Sequence, residues 1–62
     1  MIISEFESDD RQKTAIVFKR ENSFRVSTYD VYFERQTEKF FDNLEEAENF
    51  AEDYVLGMNN GT

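Results

Sequence analysis

The sequence predicts an α+β fold, a small antiparallel β-meander of three or four strands with one C-terminal α-helix packed on one face. Three observations carry that expectation. Residues 43–57, NLEEAENFAEDYVLG, repeat apolar residues at three- and four-residue steps, the period of one helix face. Upstream, KTAIVFKR (13–20) and FRVSTYDVYFE (24–34) are rich in β-branched and aromatic residues and flanked by polar runs, as strands are. The connections between these runs are short, which makes sequential strands neighbours in space.

In chain order, residues 1–7 alternate loosely, with Ile3 and Phe6 as the apolar members. They read as an edge strand or an arm. Residues 8–12 are polar and turn-like. The first long strand is Lys13 to Arg20. Glu21-Asn22-Ser23 reads as a hairpin connection whose Asn tolerates positive φ. Phe24 to Glu34 reads as a long second strand, Arg35 to Glu38 as a polar turn, and Lys39-Phe40-Phe41 as a short third strand.

The helix has start and stop signals of its own. Asn43 suits the N-cap, and Glu46 three positions later approximates a capping box. Glu45, Glu46 and Glu48 crowd the first turns, where the helix dipole favours acids. Leu44, Ala47, Phe50, Ala51, Tyr54, Val55 and Met58 form the stripe, and Gly57 suits the position that ends a helix. Residues 58–62 read as a tail.

Composition bounds what such a fold does. At 62 residues the chain is one domain, and a domain this short buries only about 60% of the surface its unfolded chain exposes. It has no Cys and no His, so disulfides and Cys/His zinc sites are excluded as supports. An unusually good core or oligomerisation remains. Seven Phe and three Tyr supply core material. The net charge of −7, from fourteen acids and seven bases, argues against nucleic acid or an anionic membrane as the main partner. No apolar run approaches the roughly 20 residues of a membrane span. The first residues have no basic and then apolar signal pattern. The expectation is a soluble, cytoplasmic protein.

The chain also has no Gly-rich phosphate loop and no Gly-x-Ser-x-Gly elbow. No catalytic residue, cofactor, metal site or small-molecule substrate is inferred, and an enzyme is not expected. Glu5, Glu7, Asp9 and Asp10, or Glu45, Glu48 and Glu52, are oxygen ligands in principle. The spacing of a calcium loop is absent, and adventitious binding is the simpler reading.

One helix covers one sheet face, and the strands carry apolar residues on both. The alternating sets of the second strand are Phe24, Val26, Thr28, Asp30, Tyr32 and Arg25, Ser27, Tyr29, Val31, Phe33. No register hides every large apolar residue beneath the helix. A bulge near Asp30 would rescue some of them. One explanation is that Arg and Lys stems shield the remainder. The other is that the free face meets a second copy or another protein. The second is the expectation, with Phe18, Tyr29, Tyr32 and Phe33 as the interface residues, and a small acidic protein–protein interaction module as the function.

The alternative is a nucleic-acid role. All seven bases lie in residues 11–39, which hold four acids, so a basic sheet that reads DNA or RNA fits the layout. Conversely Asp42, Glu45, Glu46, Glu48, Glu52 and Asp53 form an acidic face able to imitate a run of phosphates. A solvated helix back that keeps a small protein dispersed explains those acids equally well and more simply.

The strings TAIVFKRENSFRVSTYD (14–30) and EKFFDNLEEAENFAEDYVLGM (38–58), with the Phe-x-Asn-Leu-x-x-Ala-Glu helix entry at Phe41 to Glu48, resemble small uncharacterised proteins of tailed phages, especially those of marine cyanobacteria. The resemblance implies a viral or marine origin, and the expected interaction module is then read as a phage-encoded modulator of a host protein. It implies no defined activity and assigns no functional residue.

Overall fold

The structure is a computed structural model and describes residues 1–57. Met58 and the expected tail lie outside the described residues. Four antiparallel strands follow one another in meander order and one helix packs against them: β1 Ile2–Glu7, β2 Lys13–Lys19, β3 Phe24–Asp30, β4 Arg35–Phe41 and α1 Leu44–Leu56.

The helix starts and stops where its capping residues require. Asn43 is extended, and its side-chain oxygen accepts the Glu46 N–H at 3.1 Å. Gly57 takes φ 76°, a left-handed conformation that glycine adopts without a Cβ clash. Its N–H donates to the Tyr54 carbonyl at 3.2 Å.

The register decides which residues lie beneath the helix. Val17 pairs with Val26 and Val26 with Lys39; Ala15 pairs with Thr28 and Thr28 with Thr37. Alternation puts these rows on one face. Ala15, Val17 and Val26 there meet Ala47, Ala51 and Val55 of α1, all buried. The centre is built from small residues, so helix and sheet approach closely. Ile3, Phe6, Phe24, Phe41, Leu44, Phe50 and Tyr54 pack around it, with the Phe41 and Phe50 rings 5.4 Å apart. The helix lies chiefly over β2 and β3 and touches β1 and β4 at its margins. From Arg35 to Phe40, β4 is exposed on both faces.

The N-terminal segment is a strand. A bulge between Ile2 and Ser4 lets Ile3 pack on the core while the Ser4 hydroxyl donates to Glu48 of the helix at 2.5 Å. Two expectations need correction. The second long strand ends at Asp30 instead of Glu34, because the Asp30 carboxylate accepts the Phe33 N–H at 3.2 Å and closes a turn over residues 31–34. Arg35 to Glu38 is then the start of β4, not a turn. The β2–β3 connection spans residues 20–23, closed by the Arg20 N–H on the Ser23 carbonyl at 2.9 Å. Asn22 has no positive φ; that conformation falls to Arg11 and Glu34 among the non-glycine residues described.

Candidate interaction surface

The face away from the helix is read from the same register. One row runs Ile2, Phe18, Arg25, Phe40; the next Glu5, Ile16, Ser27, Glu38; the third Glu7, Thr14, Tyr29, Gln36. Ile2, Tyr29 and Phe40 are exposed by 50%, 41% and 54%, while Ile16 and Phe18 are half-buried. Of the four expected interface residues, Phe18 and Tyr29 lie on this face. Tyr32 and Phe33 do not. They stand at the β3–β4 turn, exposed by 75% and 68%, their rings edge to face at 4.8 Å. Ile2 and Phe40 belong to the face and were not anticipated. The Phe40-Phe41 pair carried the signal, since adjacent strand residues point to opposite faces.

Guanidinium groups cover part of this surface. Arg25 stands over the Phe18 ring at 4.4 Å and reaches Glu38 at 3.7 Å. Its Nε is buried with no hydrogen-bond partner. Arg20 stands over Phe40 at 5.3 Å. Shielding by long basic stems is therefore real, yet it leaves more than half of Phe40 exposed. Lys13, Lys19 and Lys39 likewise stand over Tyr54, Phe24 and Phe50. Five of the seven bases thus sit on rings.

The two sheet edges are poor docking strands. β1 carries the bulge, and β4 carries Arg35, Glu38 and Lys39 along its length. Bulges and charged side chains both oppose strand addition at an edge.

Asp30 is the buried polar group that organises the turn end. Beside the Phe33 N–H it accepts the Gln12 side-chain amide at 3.2 Å, and the Val31 N–H donates to the Gln12 carbonyl at 2.8 Å. Burial pushes its carboxyl up. Hydrogen bonds from the Phe33 N–H, the Gln12 amide and the Tyr32 N–H, together with the Lys13 charge, outweigh this and hold it below the ordinary 3.8. A lowered folded value stabilises the fold above the unfolded value and is lost as pH falls through the folded one. The Tyr32 and Phe33 amide resonances are therefore expected to move in acid, with a midpoint below 3.8, and to stay fixed near neutral pH. Asp30→Asn should remove that step. A step near neutral pH would contradict the arrangement.

Asp10 holds the β1–β2 loop in a similar way. Its carboxylate accepts the Gln12 N–H at 3.0 Å and the Ser8 hydroxyl at 2.7 Å, and these hold it below its ordinary value. Burial pushes the Tyr54 hydroxyl up, with Asp30 adding to the effect and Thr28 and Arg35 opposing it.

The acidic residues of the helix do not form one continuous face. Asp42, Glu45, Glu46 and Glu52 are exposed and Asp53 half-buried, whereas Glu48 turns toward Ser4 on β1. Among the described residues no group of three or more acids is placed to hold a metal ion. No helix there is long and apolar enough to cross a membrane. Compared with known proteins, the chain matches no family model, no curated protein and no solved structure.

Proposed function

We propose that the protein is an interaction module that works through the free face of its sheet, and that the surface it meets is a second copy of the same face. The observation that supports this reading most directly is the row Ile2, Phe18, Arg25, Phe40, with apolar side chains still exposed beside a guanidinium whose Nε has no partner. Aromatic residues and Arg are the groups that anchor protein interfaces. The edges are guarded, so pairing face to face is the route left to a second copy. The helix side carries Glu45, Glu46 and Glu52 exposed and repels its own kind. The free face sets Arg20 and Arg25 against Glu5, Glu7 and Glu38, a smaller excess of acid than the helix side carries.

Four strands of this length span roughly 450 Å² in projection, below the about 800 Å² per partner of a standard interface. The dimer is therefore of moderate affinity. The nucleic-acid alternative is less well supported, because Arg20 and Arg25 are engaged with rings and Arg25 also with Glu38.

Sedimentation equilibrium over roughly 1 µM to 1 mM tests the reading, a range that brackets moderate affinities. The expected result is a monomer–dimer equilibrium that Phe40→Lys weakens by about 100-fold, on the order of 3 kcal/mol. Glu52→Lys on the helix back should leave it unchanged. A monomer across the whole range would overturn the proposal.

A further inference from the structure

Away from the free face, β4 and the C-terminal half of α1 leave a cleft of about 410 Å³ between them, lined by Gln12, Lys13, Asp30, Phe33, Arg35 and Tyr54. Its floor is one cross-strand row, Lys13 paired with Asp30 and Asp30 with Arg35. The row places a carboxylate between two cations, yet neither cation comes within 4.0 Å of it as an ion pair. Asp30 is 7% exposed. Its Oδ1 accepts both the Phe33 N–H and the Gln12 amide, its Oδ2 meets that same amide at 3.5 Å, and the Tyr32 N–H adds to the hydrogen bonding of the carboxylate. Arg35 is exposed, and among the described residues it neither pairs with an acid nor stands over a ring. The Phe33 and Tyr54 rings supply apolar wall.

We propose that this cleft binds a small zwitterion of the α-amino-acid class with an apolar or aromatic side chain. The ligand ammonium donates to Oδ2 of Asp30, which has no hydrogen bond shorter than the 3.5 Å contact with Gln12, and the ligand carboxylate takes the guanidinium of Arg35, the neighbouring residue of the row. Opposite charges on adjacent cross-strand residues match the adjacent opposite charges of such a ligand. A simple anion would meet the Asp30 carboxylate, and a simple cation would meet Lys13 and Arg35. A ligand carrying both charges satisfies Asp30 and Arg35 together, while Lys13 stays over the Tyr54 ring. Its side chain lies against Phe33 and Tyr54, beside a turn that the Asp30 carboxylate already closes on the Phe33 N–H. A bidentate Arg–carboxylate contact sets the orientation.

The test is a titration of the ¹⁵N-labelled chain with L-phenylalanine, followed by amide shifts, with 3-phenylpropanoate and phenethylamine as single-charge probes. The expected result is saturable shifts at Lys13, Asp30, Phe33 and Arg35 with L-phenylalanine, and binding roughly tenfold weaker or worse for either probe, about 1.4 kcal/mol or more. Arg35→Gln, at an exposed position with no ion pair to lose, should weaken L-phenylalanine to the same degree. Asp30→Asn should do so while keeping an acceptor for the Phe33 N–H. Absence of saturable shifts, equal binding of 3-phenylpropanoate, or an unaffected Arg35→Gln variant would each overturn the proposal.

Discussion

Val26→Lys is expected to unfold the chain at room temperature, whereas Ser27→Lys leaves it folded. The two positions are adjacent on β3 and face opposite ways. Val26 is fully buried between Val17 and Lys39 beneath α1. An ammonium there would sit beneath α1 in the apolar core, and the effective cost of burying one ion is several kcal/mol. A chain of this length has about 3–9 kcal/mol of total stability. Its neighbour Ser27 lies on the free face between Ile16 and Glu38. A lysine opposite Glu38 gains about 0.2–1 kcal/mol as a cross-strand pair. Circular dichroism and urea denaturation of the two variants decide the matter. If both unfold, or if Ser27→Lys is the more damaging, the face assignment is reversed.

The second large effect is expected at Ala51. It is fully buried where the helix meets the sheet, as is Ala47 one turn earlier. Overpacking of a well-packed core costs typically about 1–3 kcal/mol, a large share of so small a total. Ala51→Leu should lower the urea midpoint accordingly. Glu52→Leu, one residue on and exposed, should change it by no more than about 0.5 kcal/mol. Equal midpoints for the two would mean that the helix does not approach the sheet closely at Ala51.

The parts of the fold that were legible are those where local signals and burial agree. The helix has a continuous apolar stripe and a capping residue at each end, so its limits follow from Asn43 and Gly57. β2 and the first half of β3 carry Ile16, Val17, Phe18, Phe24 and Val26 and read as strands for the same reason. Residues 31–38 were misread because there the two disagree, whereas Lys39-Phe40-Phe41 was read as the strand it is. Val31, Tyr32 and Phe33 are strand formers placed in a turn by the side-chain acceptor at Asp30. Arg35 to Glu38 looks like a turn because this part of β4 is exposed on both faces, and a strand wet on both faces has no apolar alternation to display. The surface was legible to the same extent. Phe18 and Tyr29 follow from alternation within well-read strands, while Tyr32 and Phe33 inherited the error in the length of β3.

The engagement of the bases with rings has a consequence for ionic strength. Fourteen acids face seven bases, and among the described residues one ion pair closes, Arg25 with Glu38 at 3.7 Å. Few attractive pairs are therefore lost when mobile ions screen the surface, while the repulsion among unpaired carboxylates is relieved. Added sodium chloride is expected to raise the thermal midpoint from low ionic strength upward, the opposite of a protein held together by surface ion pairs. A midpoint that falls as salt is added would show that attraction between surface charges outweighs their repulsion.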